Sequence, residues 1–174
     1  MPFHVSDSTL ESLEWDALAL AWRANCRTPQ GRERLASPLS RRIFEDDESA
    51  VRTRLRETTE ARRLFDHDAI APLSGCCELA TSLSHAERGG VLETFQLNEI
   101  RTTLEAMHAT QQFFDHHHQE APTLLLLAQQ IEEAGELESE INRCLDASGE
   151  VSDAASPSLA QARRDAHRIS GELQ

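Results

Sequence analysis

The chain has 174 residues with only 7 glycines and 6 prolines, too few turn-forming residues for an all-β protein, and its formal net charge is −13. All 17 basic residues are arginines, because the sequence contains no lysine. An intact P-loop, a Schiff-base mechanism and protein-kinase chemistry each need a lysine, so these three classes of activity are excluded for this chain.

Hydrophobic periodicity predicts an all-α fold, beginning with a helix over residues 10–26. The side chains expected to share its buried face are Trp15, Leu18, Ala19 and Trp22. A second, short helix is predicted to start at a Thr28 cap followed by Pro29 and to end near Ser37.

The next predicted helix covers residues 45–65 and begins with four acidic residues, which suit the positive end of a helix dipole. The side chains expected to face inward recur at steps of four and three: Val51, Leu55, Thr58, Arg62 and Phe65. The outer face is expected to carry four arginines: Arg52, Arg54, Arg56 and Arg63.

Four more helices are predicted over residues 76–88, 96–118, 122–131 and 136–145. Gly89 and Gly90 are expected to end the first of these with a left-handed cap. The last of them is expected to direct four side chains inward: Leu137, Ile141, Cys144 and Leu145.

The end of the chain combines a turn with a final helix. Ser148 and Gly149 predict a tight turn within Asp146–Asp153, with a small β-hairpin as one form of it. Ser156 and Pro157 start a last helix over residues 156–174. Its predicted apolar face is thin and rich in alanine, and consists of Leu159, Ala162, Ala166 and Ile169. That helix reaches Gln174 without a cap, so we expect either a truncated chain or a helix that continues.

The opening residues, the apolar runs and the cysteines indicate the compartment. No secretory leader is visible at the start, and the longest apolar run, Leu124 to Ala128, is far shorter than a bilayer span. Cys76 and Cys77 are adjacent, which would strain a disulfide between them, and no C-x-x-C pair occurs. We therefore expect a cytoplasmic protein with reduced thiols and no membrane partner.

Charge is distributed unevenly along the chain. Residues 1–68 have 11 arginines and 13 acidic residues, residues 69–140 have 2 and 12, and residues 141–174 have 4 and 5. The acidic centre disfavours nucleic-acid binding. Four residues are the candidate exception: Arg52, Arg54, Arg56 and Arg63. Because acidic residues lie between them, such as Glu60 four positions after Arg56, we favour a solvated, salt-bridged face over a DNA contact.

The run His116, His117 and His118 is the most conspicuous candidate metal site. Neighbouring side chains on a helix point about 100° apart, so the three imidazoles cannot converge on one ion. Asp115 and His118 could form half a site, but an exposed helix end is the favoured interpretation.

A second candidate, a nucleophile triad of His4 and Asp7 with Ser8 or Ser12, lacks any G-x-S-x-G turn around either serine. A helix cap at Asp7 or Ser8 is the favoured interpretation of these residues. No catalytic, cofactor-binding or metal-binding residue is therefore predicted in the chain.

Several collinear segments carry a family resemblance. They cover residues 9–18, 28–31, 55–65 and 83–92, and the most specific one covers residues 141–159 with Arg163 and Arg164 after it. Each motif is weak alone, but the ordered set covers nearly the whole chain. It resembles the start of the bacterial MutS type II family, the anti-recombination paralogue of MutS, with Trp15 in place of the family's usual Phe.

The resemblance implies the non-catalytic N-terminal core and lever region of a longer, dimeric protein. Residues 1–155 would form the helical core and residues 156–174 the start of the lever helix. The ATPase, which uses ATP and Mg²⁺, and a nuclease domain would lie further along the parent protein. Its implied partners are branched DNA and ribosomes. The alternatives are a free-standing helical interaction module and, less favoured, a metal-dependent helical enzyme built on the histidines.

Overall fold

The computed structural model describes residues 5–36, 44–132 and 134–172. Within these ranges the secondary structure is nine α-helices without a β-strand, which confirms the all-α prediction. None of the described helices is both long and apolar enough to cross a membrane. His4, the helix end predicted at Ser37 and the chain end at Gln174 lie outside the described residues.

The helices follow one another in this order: α1 (Asp7–Ser12), α2 (Trp15–Asn25), α3 (Pro29–Arg34), α4 (Glu48–Asp66), α5 (Ala80–Glu87), α6 (Thr94–His116), α7 (Pro122–Ala128), α8 (Gly135–Cys144) and α9 (Pro157–Glu172). They belong to two compact units. The first comprises Met1–Glu78 and Ala106–Glu132, and the second comprises Leu79–Glu105 and Glu133–Gln174. The division predicted at residue 156 stays a prediction.

The predicted first helix is two helices in the structure. Ser6 caps α1 by accepting a hydrogen bond from the Thr9 N–H, one position before Asp7 and two before Ser8, so the cap predicted at one of those two residues is wrong. Glu14 then adopts a left-handed conformation (φ +49°) between α1 and α2. That residue breaks the continuous helix which the periodicity predicted.

Only part of the predicted apolar face of α2 is buried. Trp15 and Ala19 are buried, whereas Leu18 and Trp22 are 41% and 45% exposed. The prediction that all four share a buried face is therefore wrong. A short helix buries only the side chains that point directly at its neighbours. Here these are Trp15 and Ala19, which are four positions apart. The Trp15 ring packs on Phe44, with ring centroids 4.5 Å apart.

The second unit has a small apolar core. Its buried members are Ile100, Ile141 and Leu145, and the partly buried side chains around them are Leu79, Leu92, Leu97 and Leu104. Leu137 is 51% exposed, so its predicted inward position is wrong. The core covers only the C-terminal end of α8, one turn after Leu137.

Local capping signals in the sequence are confirmed. The Thr28 side chain accepts the Gly31 N–H at 3.1 Å at the start of α3. Gly89, with φ +79°, ends α5 as its N–H donates to Ala86 and the Gly90 N–H donates to the His85 carbonyl. This pair of hydrogen bonds closes the helix in a Schellman motif.

The predicted hairpin is reduced to a single antiparallel bridge between Leu145 and Val151. The turn between them is organised by Asp146, whose Oδ1 accepts the N–H groups of Ser148 (2.8 Å) and Glu150 (3.1 Å). The Ser148 hydroxyl, followed by the backbone N–H of Glu150, lowers the pKa of the Asp146 carboxyl below its ordinary value. Gly149 supplies the left-handed residue of the turn, with φ +83°.

Candidate interaction surface

Helix α4 presents its apolar side chains to solvent. Val51, Leu55 and Phe65 are 39%, 61% and 63% exposed, so the prediction that this stripe faces the core is wrong. The opposite stripe packs instead, and its members are the half-buried or buried Ala50, Thr53, Glu57, Glu60 and Leu64. We call the exposed residues Val51, Leu55 and Phe65 the outer apolar stripe.

A buried carboxylate explains the orientation of α4. Glu60 is 7% exposed, and its Oε2 accepts the N–H groups of Thr123 (2.9 Å) and Leu124 (3.0 Å) in the first turn of α7. The cap residue of α7, Ala121, has no side chain that could accept these bonds. Glu60 therefore caps a helix that is 63 positions away in the sequence. This capping directs the side of α4 that carries Glu60 inward.

The four candidate nucleic-acid contacts differ in their partners. Arg52 pairs with Glu48 (2.7 Å), and Arg54 pairs with Glu45 (3.3 Å) and Glu57 (3.0 Å). The hydrogen bond that Arg54 donates to Glu57, followed by the one it donates to Glu45, raises the pKa of the Arg54 guanidinium. These pairs occupy two of the four guanidinium groups, as the salt-bridged interpretation expects.

The other two arginines of this set have no carboxylate within 4.0 Å among the residues that the structure describes. Arg56 donates to the Arg52 carbonyl at 3.4 Å, and the predicted pair with Glu60 is replaced by the cap on α7. Arg63 lines a pocket at the end of α4. The role of the four arginines in nucleic-acid binding stays a prediction.

The histidine run is divided between different surroundings. His117 is half-buried, its ring lies tilted by 43° against Phe113 with ring centroids 4.5 Å apart, and its Nδ1 is 3.4 Å from Glu120 Oε2. The His118 ring contacts the backbone carbonyl of Asp115 rather than its carboxylate. Across the described ranges, no three histidine, cysteine or carboxylate side chains are grouped in a way that could hold a metal ion.

His67 is the functional candidate that the sequence pattern did not single out. It lines the same pocket as Arg63 and His117, although the two histidines are 50 positions apart. The sequence feature that could have indicated His67 is its position at the C-terminal cap of α4, because helix ends often carry polar groups that face a neighbouring loop.

Burial raises the pKa of the Cys76 thiol, with the adjacent Cys77 as the smaller cause, and this shift disfavours Cys76 as a nucleophile.

The start of α9 is fixed by two arginines. Arg143 of α8 donates to the carbonyls of Ala154 and Ala155, and Arg163 donates to Asp153 Oδ1 (2.6 Å) and to the Val151 carbonyl (2.9 Å). Ser156 caps the helix, as predicted, by accepting the Leu159 N–H at 3.1 Å.

Beyond its first turns α9 is mostly exposed within the described chain. Ile169, the largest apolar side chain of its C-terminal half, is 51% exposed. Ala162 and Ala166, which share the predicted apolar face of the helix, are exposed as well. The helix is thus attached at its base and has little cover further along.

No family model matches the chain. An Endonuclease MutS2 from Anaeromyxobacter sp. (strain Fw109-5) is 36% identical over 168 residues, which cover 94% of this chain and 20% of that relative. The protein of the same name from Symbiobacterium thermophilum is 33% identical over 147 residues, covering 82% of this chain and 18% of that relative. The protein of the same name from Halothermothrix orenii is 28% identical over 177 residues, covering 97% of this chain and 22% of that relative.

These relatives carry one name and match most of this chain. The chain spans about a fifth of the length of each of them. The similarity agrees with the collinear motifs. The chain is therefore a MutS2-like region.

Proposed function

We propose that the chain is a non-catalytic, cytoplasmic scaffold segment of a MutS type II protein. It would couple the ATPase of that protein to a DNA clamp and support dimerisation. The observation that carries the proposal is the arginine-fixed base of α9 on α8, followed by a helix with little cover. A helix held firmly at one end transmits force to that end, which suits a lever.

The remaining parts of the proposal belong to the longer protein. ATP and Mg²⁺ would bind outside this chain, two copies would associate, and branched DNA and ribosomes would be the partners. The relatives are named as endonucleases, which supports a parent enzyme. The outer apolar stripe of α4 supports a scaffold role, since exposed apolar side chains on one helix face are typical of a contact surface.

The test is a substitution at the base of α9 in the complete native protein. Arg163→Ala removes the bonds to Asp153 and Val151, whereas Arg164→Ala, the matched control, removes only a 2.8 Å bond to Gln161 Oε1. We expect Arg163→Ala to reduce the effect of ATP on the dissociation rate of branched DNA by about tenfold, while ATP hydrolysis without DNA stays unchanged. Equal behaviour of the two variants would contradict the proposal.

The alternative is a free-standing helical interaction module, which the outer apolar stripe also favours. The two candidates differ in the size of the native gene product. An antibody raised against this chain should detect a protein about five times larger for the scaffold, judged from the share of each relative that is matched. A product of 19.5 kDa would favour the module.

A further inference from the structure

A pocket of about 570 Å³ lies where the end of α4 faces the connection from α6 to α7, within the first unit. Six residues line it: Arg63, His67, Ala69, His117, Gln119 and Glu120. Its volume lies in the range of small-molecule sites, about 300–1,000 Å³, and exceeds the need of a single inorganic ion.

One wall of the pocket is fixed by the way α4 ends. The Ala69 N–H donates to the Leu64 carbonyl (2.9 Å) and the Asp68 N–H donates to the Phe65 carbonyl (3.0 Å), with Asp68 left-handed at φ +57°. These bonds form a Schellman motif, which satisfies the last carbonyls of α4. His67 is the cap residue of this motif, so its backbone is held in place at the pocket wall.

The same wall provides a cation that has no carboxylate partner. Arg62 pairs with Asp66 (3.9 Å), which leaves that carboxylate engaged on the helix surface. Arg63, the next residue, has no carboxylate within 4.0 Å in the described part of the chain and lines the pocket. A guanidinium in this position offers several planar N–H donors to an anion.

The other wall comes from the end of α6 and the residues after it. The His117 ring lies tilted against Phe113 and has Nδ1 3.4 Å from Glu120 Oε2, and its Nε2 donates to an anion when the imidazole carries both protons. Glu120 is the one carboxylate in the lining, and His117 engages it. Gln119 adds a side-chain amide, a donor that suits an oxygen ligand.

We propose that this pocket binds a phosphate monoester, carried either by a free nucleotide or by the 5′ end of a nucleic-acid strand. Arg63 pairs with the phosphate as a forked donor, and the imidazoles of His67 and His117 and the Gln119 amide reach its remaining oxygens. The pocket volume that the phosphate does not fill accommodates the sugar or other group to which the phosphate is esterified. The site shares no residue with the α9 base and does not depend on the scaffold proposal.

The test uses the whole chain and three probes: inorganic phosphate, a nucleoside 5′-monophosphate and a 5′-phosphorylated oligonucleotide beside its unphosphorylated form. Binding is followed by NMR shifts of the arginine side-chain N–H and imidazole signals. We expect dissociation constants of about 1 mM or below for the monophosphate. Tighter binding of the mononucleotide than of the phosphorylated oligonucleotide identifies a small-molecule ligand, and the reverse order identifies a strand end.

Variants at adjacent positions decide whether the pocket is the site. Arg63→Gln should weaken binding of the monophosphate about tenfold or more, since a charged hydrogen bond is lost. Arg62→Gln, the control, removes the neighbouring exposed arginine outside the lining and should bind like the parent chain. Circular dichroism checks that both variants stay helical. Equal weakening by the two variants, or no shift with about 10 mM monophosphate, would overturn the proposal.

Discussion

At the residue scale, the contacts of Glu60 have the largest effect on how the helices pack. Its carboxylate is buried against the first turn of α7, where it accepts two backbone N–H groups that have no other cap. The outer apolar stripe of α4 is exposed because the helix turns this carboxylate inward. No local pattern shows that bond, since Glu60 and Thr123 are far apart in the sequence, and the 4–3 spacing of apolar residues therefore predicted the wrong face.

Removal of the Glu60 carboxylate should destabilise the fold. Glu60→Ala leaves two backbone N–H groups without an acceptor, and we expect a loss of about 2–4 kcal/mol in the free energy of unfolding. Glu60→Gln keeps an acceptor and should lose about 1 kcal/mol. Urea unfolding followed by circular dichroism measures both. The control is Glu48→Ala on the exposed Glu48–Arg52 pair, and an equal loss in Glu60→Ala and Glu48→Ala would refute the capping role.

Trp15 allows a second prediction at this scale. Its ring is 7% exposed, and its Nε1–H has no hydrogen-bond acceptor among the residues described. Trp15→Phe removes that unsatisfied donor, whose burial costs about 1–3 kcal/mol. This gain in stability offsets most of the loss of packing that the smaller ring causes. We expect Trp15→Phe to change the free energy of unfolding by less than about 1 kcal/mol and Trp15→Ala to lower it by about 3–5 kcal/mol. Equal losses in a thermal or urea series would contradict this account.

At the element scale, the turn between α8 and α9 determines how the last helix begins. Local signals predicted its cap at Ser156 and its turn at Gly149, and both are confirmed, because capping and left-handed glycines depend on a few neighbouring residues. The clamp by Arg143 and Arg163 was not predicted. Three of its four acceptors are backbone carbonyls, which every residue offers, and the fourth, Asp153 Oδ1, lies ten positions before Arg163, so no local spacing in the sequence predicts these bonds.

Two glycine substitutions test this turn. Gly149→Ala places a side chain at φ +83° and brings its Cβ 3.3 Å from Asn98 Oδ1, so we expect a loss of about 1–2 kcal/mol in the free energy of unfolding. Gly135→Ala, the control, meets nothing within 4 Å at the start of α8 and should stabilise the chain by about 0.5–1 kcal/mol. In one denaturation assay, the change in the free energy of unfolding should therefore have opposite signs for the two variants. Equal changes would contradict the strain that we assign to a side chain at position 149.

At the scale of the whole molecule, the chain is an acidic, all-α, MutS2-like region. The resemblance and the fold class follow from the sequence, because ordered motifs and helical periodicity extend over nearly all of it. The pocket residues were not grouped by the sequence, since Arg63, His67 and His117 meet only through the packing of the first unit.

The net charge leads to a prediction for the chain on its own. With −13 overall and two of the four candidate arginines already paired with carboxylates, little counterion release is available to drive DNA binding. We expect a dissociation constant weaker than about 1 μM for a four-way junction at physiological salt, measured by fluorescence anisotropy. Sub-micromolar binding that is lost in Arg56→Ala would refute this expectation and identify α4 as a nucleic-acid interface.

Hydrogen exchange along α9 tests the central claim, a scaffold whose last helix is covered by the rest of a longer protein. The helix has little cover after its first turns, and a helix of 16 residues is marginal in water without packing. In the isolated chain, the amides of Ala166–Ser170 should exchange about 100-fold faster than those of Ile141 and Leu145, and in the complete native protein they should become comparably slow. Protection of these amides equal to that of Ile141 in the isolated chain, or unchanged exchange in the complete protein, would contradict the account.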